Sequence, residues 1–188
     1  MLFRMKLINR WGLMRNTSSE NLSEHSLEVG IIAQAICFIS NSRYETGYSA
    51  DRAMVLGVFH DCPEILTGDL PTPIKYFSDE IKSAYDKVEE VASSKLLSML
   101  SDELRPLYED YVFERDNELI PIIKAADKIA ALIKCIEEGK MGNSEFSSAE
   151  KSIRKKISDM NIKAADDFVR EFVPAFSLTL DEQSRFGE

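Results

Sequence analysis

The sequence predicts an all-α fold, a single helical bundle, on three observations. Glycine and proline are scarce, at 8 and 6 of the 188 residues, and long stretches contain neither, which favours a few long elements. Apolar residues recur three or four positions apart through much of the chain, which is the spacing of one helical face. No segment alternates apolar and polar residues as a half-buried strand does. We therefore expect helices to form the whole core.

The first long helix is predicted to follow the polar stretch 17–23 and to run to about Ser40, before a loop at 41–49. His25 lies in its first turn, on the inward stripe that Val29 continues four residues later. The candidates for its N-cap are Thr17, at capping-box spacing from Glu20, and Asn21 and Ser23.

A second helix is predicted over Asp51–Cys62. Pro63 disfavours helical geometry at Cys62, so the helix should end or kink there. His60 and Asp61 would then stand at a helix end, where a site can open.

The rest of the chain is predicted to be helical apart from one segment. Residues 67–73 contain two prolines and a glycine and cannot form regular helix. The remaining helices are predicted to begin at Ser78, to span 102–115, to run from an Asn117 cap to Gly139, and to cover 144–172 with a break near Asn161.

Length and composition predict one domain over 1–188, with its core at about 7–173 and a C-terminal extension at 174–188 that wraps the domain or extends as an arm. A net charge of −9 argues against nucleic acid as a partner. Three cysteines without a CxxC pair indicate a reducing, cytoplasmic location. No apolar run approaches a membrane span in the sequence, so no membrane association is expected.

Residues 1–19 are basic and contain no acid, as in a transit peptide. We interpret them instead as folded protein, because the segment also carries bulky apolar residues. These are Leu7, Ile8, Trp11 and Leu13.

The candidate chemistry centres on the only two histidines, His25 and His60. A lone histidine on an apolar helix face is usually a core residue, but here the second is followed directly by Asp61. Neighbours on a helix diverge by about 100°, so His60 and Asp61 can share an ion only at a helix end that other helices approach. Asp127 lies on a mostly apolar face, where an unpaired carboxylate needs a cation or several hydrogen-bond donors. These four residues are the predicted ligands of one divalent cation, such as Co²⁺ or Mn²⁺, rather than Ca²⁺.

The order His25, His60-Asp61, Asp127 resembles the H…HD…D signature of the HD superfamily of phosphohydrolases. Further motifs are similar to the bacterial 5′-deoxynucleotidases of that superfamily, over nearly the whole chain. The chain departs from that pattern at Gly12, where proline is expected, at Cys62, where alanine is expected, and in its short N-terminus. The motifs are Leu7-Ile8-Asn9-Arg10-Trp11, Ser23-Glu24-His25-Ser26, His60-Asp61-x-x-Glu64, Leu66-Thr67-Gly68-Asp69-Leu70-Pro71-Thr72-Pro73 and Phe172-Val173-Pro174.

The resemblance implies a homodimeric HD-domain helical bundle that hydrolyses deoxyribonucleoside 5′-monophosphates to deoxynucleosides and phosphate. It implies that Glu64 lies beside the attacking water and that Arg10 orients the phosphate. Trp11 and the loop from Asp69 to Thr72 would contact the sugar and base. The implied substrate-binding residues are Arg10, Trp11, His25, Asp61, Asp69, Leu70, Pro71, Thr72 and Asp127.

Each of these residues also has an ordinary structural explanation. Arg10 alone would be a surface ion pair, Trp11 a core residue and Asp69 an Asx-turn before a proline. Glu24 either favours the helix N-terminus or accepts a proton from a ligand histidine. Only the joint pattern favours the catalytic interpretation.

Two alternatives remain at this stage. The first is an HD phosphohydrolase for another nucleotide, a guanosine polyphosphate or a cyclic nucleotide. Many polyphosphate hydrolases carry a second acid where this chain has Ile65, which argues against that substrate. The second is a non-catalytic HD module that only binds nucleotide, although neither a ligand nor Glu64 has been lost.

Overall fold

The computed structural model describes residues 1–75 and 77–184. Within that part of the chain the secondary structure is helical, with a single isolated bridge between Asn9 and Asn21, which confirms the all-α prediction. The α-helices are α1 (Leu22–Tyr44), α2 (Ala50–Phe59), α3 (Glu64–Thr67), α4 (Thr72–Lys75), α5 (Asp79–Leu97), α6 (Arg105–Val112), α7 (Ile120–Lys140), α8 (Ser147–Asp159), α9 (Lys163–Glu171) and α10 (Leu180–Gln183). Short 3-10 helices cover Leu2–Leu7, Ser144–Phe146 and Val173–Ser177.

Asn21, rather than Thr17, caps α1. Its side chain accepts hydrogen bonds from the backbone N–H groups of Ser23 and Glu24. The Glu24 carboxylate in turn accepts a hydrogen bond from the Asn21 N–H, which completes a capping box. The helix also runs four residues past the predicted Ser40, to a C-cap at Glu45 with a left-handed φ of 55°. The loop before α2 is correspondingly shorter.

The later boundaries were predicted less accurately. The Asn117 cap is wrong, because α7 begins at Ile120 and it is Asp116 whose side chain accepts from the Leu119 N–H at 3.2 Å. The helix ends at Lys140, one residue past Gly139. The helix predicted over 102–115 is shorter in the structure, where α6 covers only Arg105–Val112.

The C-terminal part follows the prediction more closely. The predicted break near Asn161, which has a φ of 55°, is confirmed between α8 and α9. The predicted extension is a 3-10 turn and α10 up to Ser184, with Phe176 packed against the main core. Its last four residues, 185–188, lie outside the described residues.

The main core lies between α1, α2, α7 and α9. A smaller core joins the N-terminal turn to α3, α5 and α6 and includes Met5, Leu22, Cys62 and Ile65. In the N-terminal segment Ile8 packs against this smaller core, whereas Leu7 and Leu13 are exposed, so only part of the expected apolar packing is present.

Two glycines set the distance between α1 and α2. A Cβ on Gly57 would lie 2.7 Å from the Cα of Gly30, and a Cβ on Gly30 would lie 2.8 Å from the carbonyl oxygen of Met54. The two backbones therefore touch where any side chain would separate them. This contact brings His25 of α1 and His60, at the C-cap of α2, to a ring-centroid separation of 5.3 Å.

Of the described helices, α1 is long and apolar enough to cross a membrane. Half of its apolar window is buried inside the protein. This finding differs from the expectation that the chain has no segment of membrane-spanning length. Length and composition alone are weak evidence for a membrane span.

Candidate metal centre and substrate cavity

The two histidines and Asp61 form a cluster whose potential ligand atoms all lie within 4.8 Å of one another. Asp61 Oδ2 is 3.0 Å from His60 Nε2 and 3.7 Å from His25 Nε2. Asp127 reaches the same point from α7, with Oδ1 3.3 Å from His25 Nε2. The structure therefore brings together all four residues that the sequence predicted as ligands.

The nitrogen atoms of this cluster fit a metal ion. Nε2 of His25 and Nε2 of His60 are buried and have no hydrogen-bond partner among the described residues. Nδ1 of His60 lies 2.7 Å from the carbonyl oxygen of Gly57. Because a carbonyl only accepts, Nδ1 carries a proton, and a metal ion at the cluster would take the place of any second proton on Nε2. A buried polar atom without a partner is costly, and a cation would remove that cost.

The charges of the cluster are strongly coupled. Burial alone would raise the pKa of Asp61, but His60, His25 and Arg10 outweigh it and hold that pKa well below its usual range. The pKa of Asp127 is lowered in the same way, against burial, chiefly by His25. Burial opposes the protonation of His60, yet Asp61 and Asp127 outweigh it and raise its pKa to about 9. Both carboxylates are therefore ionised and ready to bind a cation.

Glu64 stands in the first turn of α3, directly after Pro63, and is buried. Burial, together with Asp61 and Asp69, raises its pKa to about 9. Its Oε2 atom has no hydrogen-bond partner in the described part of the chain. This raised pKa favours the protonated form of Glu64. A metal ion at the cluster would lower the pKa of Glu64 and restore its carboxylate.

Arg10 and Trp11 lie on a loop whose two ends are paired to each other. The Arg10 N–H donates to the carbonyl of Glu20 at 3.0 Å, and the Leu22 N–H donates to that of Ile8 at 2.8 Å. Nη1 of Arg10 reaches Asp61 Oδ2 at 3.4 Å. Asp61 raises the pKa of Arg10 against burial, with help from Asp127, so the guanidinium is charged.

A cavity of about 540 Å³ opens beside the cluster. Gly68, with a φ of +76° that only glycine adopts readily, turns the chain from α3 into the Asp69–Thr72 segment that forms one wall. Burial raises the pKa of Asp69, against the opposing effects of Arg10 and of the backbone N–H of Trp11. The predicted residues in the cavity wall are Arg10, Trp11, Asp69, Pro71, Thr72 and Asp127.

Three features of the site differ from the sequence reading. Leu70 is half-buried and is absent from the described cavity wall. Helix α8 also lines the cavity, a contribution that no sequence motif had indicated. Its lining residues are Ala149, Ser152, Ile153 and Lys156. Glu24 caps α1 and does not contact a ligand histidine; the carboxylate nearest His25 Nδ1 is that of Glu20, at 3.5 Å.

A family model described as YfbR-like 5′-deoxynucleotidase matches residues 1–176. The chain belongs to this family. A 5′-deoxynucleotidase of Erwinia tasmaniensis is 44% identical over 186 residues, covering 98% of this chain and 94% of that protein. One of Photorhabdus temperata is 46% identical over 187 residues, covering 97% and 94%. One of Vibrio vulnificus is 45% identical over 185 residues, covering 97% and 95%.

Solved structures confirm the HD-domain fold expected from the resemblance to the YfbR-like family. An HD-domain phosphohydrolase of Listeria innocua superposes with a TM-score of 0.81 at 20% identity, covering 98% of this chain and 90% of that one. An HD phosphohydrolase of cyanophage S-2L, bound to dA and one catalytic Zn²⁺ ion, has a TM-score of 0.66 at 19% identity, covering 94% and 95%.

Proposed function

We propose that this protein hydrolyses deoxyribonucleoside 5′-monophosphates to deoxynucleosides and phosphate, with a divalent cation held by His25, His60, Asp61 and Asp127. The observation that carries the proposal is the convergence of these four side chains around buried, unpartnered nitrogens beside a cavity. The curated relatives, which are named 5′-deoxynucleotidases and match nearly the whole chain, support the substrate class.

A cation at the cluster would supply Lewis acidity and offset the charge of the phosphoryl group. Arg10 lies beside the cluster, through its contact with Asp61. Its planar guanidinium can donate two parallel hydrogen bonds to phosphate oxygens. Binding phosphate would replace its long contact to Asp61. Arg10 thus orients the group that every substrate shares.

Glu64 is the proposed catalytic base or water-orienting residue. It follows Asp61 by three residues and is buried beside it, so its carboxylate can hold the attacking water against the phosphorus. When the leaving 5′-oxygen departs, the carboxyl group that took the proton from the water can pass that proton to the departing oxygen.

The sugar would lie between Trp11 and the segment Asp69–Thr72, which share the cavity wall. Asp69 can accept a hydrogen bond from the 3′-hydroxyl. Trp11 is large and rigid, and its ring packs on Phe146 at a centroid distance of 5.2 Å, so it can exclude a 2′-hydroxyl.

A polyphosphate substrate is less well supported. Ile65 stands where many such hydrolases carry a second acid, and it is buried in the smaller core rather than directed into a site. The non-catalytic alternative lacks support as well, because the predicted ligands and Glu64 are all present in the site.

The finer expectations remain part of the proposal. Cobalt or manganese suits the mixed imidazole and carboxylate ligands. Three free, buried cysteines agree with a reducing cytoplasm. A homodimer agrees with exposed apolar residues on α5 and α6, among them Val91, 70% exposed, and Leu107, 65% exposed. We also propose that residues 1–188 form one domain.

The proposed function is tested by measuring phosphate release from ribo- and deoxyribonucleoside mono-, di- and triphosphates with Co²⁺, Mn²⁺, Zn²⁺ and Mg²⁺. We expect activity on deoxyribonucleoside 5′-monophosphates that a chelator abolishes. Preference for a guanosine polyphosphate or a cyclic nucleotide would contradict the substrate class, and nucleotide binding without turnover under any ion would favour the non-catalytic module.

A further inference from the structure

We propose that Glu20 is a positioning residue that ties the sugar-contacting Trp11 and the phosphate-contacting Arg10 to the metal ligand His25. The inference rests on the proposed function for the roles of those three residues. Its basis is that one buried carboxylate, 7% exposed, faces all three of them.

The backbone places Glu20 rigidly. Its carbonyl accepts the Arg10 N–H at the closed base of the loop, and the next residue, Asn21, is the N-cap of α1. The Glu20 side chain is therefore fixed with respect to both the loop and α1. A carboxylate in this place can transmit position between the two.

The shortest contact joins Glu20 to Trp11. Nε1 of the indole donates to Oε2 of Glu20 at 2.6 Å. Trp11 has a left-handed φ of 60°, an uncommon conformation for a bulky residue. The bond to Glu20 and the packing on Phe146 hold the indole in one orientation despite that backbone.

The other carboxylate oxygen faces His25. Oε1 lies 3.5 Å from Nδ1, which makes no hydrogen bond among the described residues, and long contacts of this kind commonly shorten when a site is loaded. A proton held on Nδ1 by Glu20 leaves Nε2 unprotonated toward Asp127 and Asp61. Carboxylates in this relation to a ligand histidine fix its tautomer and raise its basicity.

Arg10 is shared between two carboxylates. Nε lies 3.6 Å from Glu20 Oε2, while Nη1 lies 3.4 Å from Asp61. Glu20 thus places a negative charge beside the inner edge of the guanidinium, whose Nε makes no hydrogen bond among the described residues, and the outer nitrogens remain available to a phosphate. Without Glu20, Asp61 would be the one carboxylate left within 4 Å of Arg10 among the described residues, and Arg10 would compete with the metal for it.

Glu20 needs both carboxylate oxygens, one for Trp11 and one for His25. Variants that change the number or the position of these oxygens therefore test its role. Glu20→Gln keeps the size but has one acceptor oxygen, so it can serve Trp11 or His25 and not both. Glu20→Asp keeps two oxygens on a shorter stem. Glu24→Gln is the matched control, because it removes the same charge four residues away while glutamine still suits the capping box.

Three readouts separate positioning from general structural support: the affinity for Co²⁺ or Mn²⁺, the ratio of kcat/KM for deoxyadenylate over adenylate, and the fluorescence of Trp11, the only tryptophan. For Glu20→Gln we expect metal binding about 10- to 100-fold weaker, a deoxy-to-ribo ratio at least about fivefold lower and a shifted emission maximum. Glu20→Asp should recover part of each, and Glu24→Gln should leave all three unchanged.

A folded Glu20→Gln protein with wild-type metal affinity, sugar ratio and emission would overturn the proposal. If that variant fails to fold, Trp11→Phe tests the same link, because it removes the indole donor while preserving the ring. Metal affinity should then fall measurably although Trp11 is not a ligand, and unchanged affinity would again overturn the link. Loss of the proposed function itself would show as an inactive wild-type protein, while metal affinity and fluorescence would still report on Glu20.

Discussion

At the scale of the residue, the site depends on groups that are costly to bury unless they act together. His25 is completely buried, and its Nε2 has no hydrogen-bond partner among the described residues. Glu64 is buried with one oxygen unpaired. Such groups persist in a folded protein where a ligand completes them. Single substitutions here should therefore change chemistry more than fold.

Replacing Glu64 separates the reaction from binding. Glu64→Ala should lower kcat on deoxyribonucleoside 5′-monophosphates by about 10²- to 10⁴-fold, because the water loses its base. Steady-state kinetics and elemental analysis check this together, and the bound metal should remain at one ion per chain. Near-normal turnover in the variant would remove Glu64 from the mechanism.

Replacing Trp11 should change selectivity rather than raw activity. Trp11→Ala opens space beside the 2′ position, so the deoxy-to-ribo ratio of kcat/KM should fall by about tenfold or more, mainly because adenylate hydrolysis rises. Asp69→Ala should instead weaken both substrates. A ratio that stays at the wild-type value in Trp11→Ala would place sugar selection elsewhere.

The sequence predicts those site residues whose chemical type alone indicates their role. His25, His60, Asp61 and Asp127 were found because two histidines and a buried carboxylate are rare on apolar helix faces. Glu20 was assigned only to a capping pair, since its partners Trp11 and His25 meet it through the folding of a loop. The α8 wall of the cavity was missed for the same reason.

At the scale of the element, two contacts set where the ligands stand. One is the backbone contact between α1 and α2 at Gly30 and Gly57. The other is the bond network by which Glu138 of α7 holds the loop that carries Arg10 and Trp11. Neither contact has a periodic apolar signature, so the role of these contacts could not be predicted, although the helices themselves were expected.

Adding one methyl group to the α1–α2 contact should disturb the metal centre. Gly57→Ala places a Cβ 2.7 Å from the Gly30 Cα, so the helices must separate and His60 must move from His25. We expect a loss of about 1–3 kcal/mol in the free energy of unfolding, with weaker metal binding by calorimetry. Gly139→Ala, which has open space around its Cβ, should instead stabilise by about 0.5–1 kcal/mol. Equal effects from the two would refute the packing argument.

Glu138 accepts from the backbone of Thr17 and Ser18 and from the side chains of Thr17, Lys134 and Asn143. Burial disfavours its ionised form, but Lys134 and the other donors outweigh burial and hold its pKa well below 4.5, its usual value. Its contribution to stability is therefore complete above about pH 5 and is lost as the pH falls below that value.

Glu138→Gln should lower the free energy of unfolding by about 3–5 kcal/mol at pH 7, because Lys134 loses its buried partner. The difference from wild type should shrink on acidification toward pH 3, because Glu138 of the unfolded wild-type chain takes up a proton below about pH 4.5 while the folded state resists protonation. Denaturant titrations across this range measure it, with the exposed Glu137→Gln as control. A difference independent of pH would show that the Glu138 charge is not what matters.

At the scale of the whole molecule, one site joins parts that are far apart in sequence. The ligands come from α1, the end of α2 and α7, and the cavity adds the N-terminal loop, the Asp69–Thr72 segment and α8. An ion bound there would cross-link most of the bundle. Binding to the folded state alone raises stability by mass action.

The thermal midpoint should therefore rise with added Co²⁺ or Mn²⁺ and fall with a chelator, in parallel with activity. At an ion concentration about 100-fold above Kd, the gain is about 2.7 kcal/mol. Asp127→Asn should abolish both the rise and the activity, since an amide is a weaker ligand without charge. A midpoint in wild type that ignores every divalent ion would contradict the metal centre.

The antiparallel pairing at the base of the Arg10–Glu20 loop also has a consequence for dynamics. Because the Arg10 and Leu22 amides are bonded across that base, the loop cannot swing open as a rigid flap without breaking both bonds. Any loop movement that accompanies substrate exchange should then be confined to the tip, around Gly12 and Leu13, while the base stays shut. Amide hydrogen exchange would register this as slow exchange at Arg10 and Leu22 beside fast exchange at the tip, a contrast that persists through catalytic turnover.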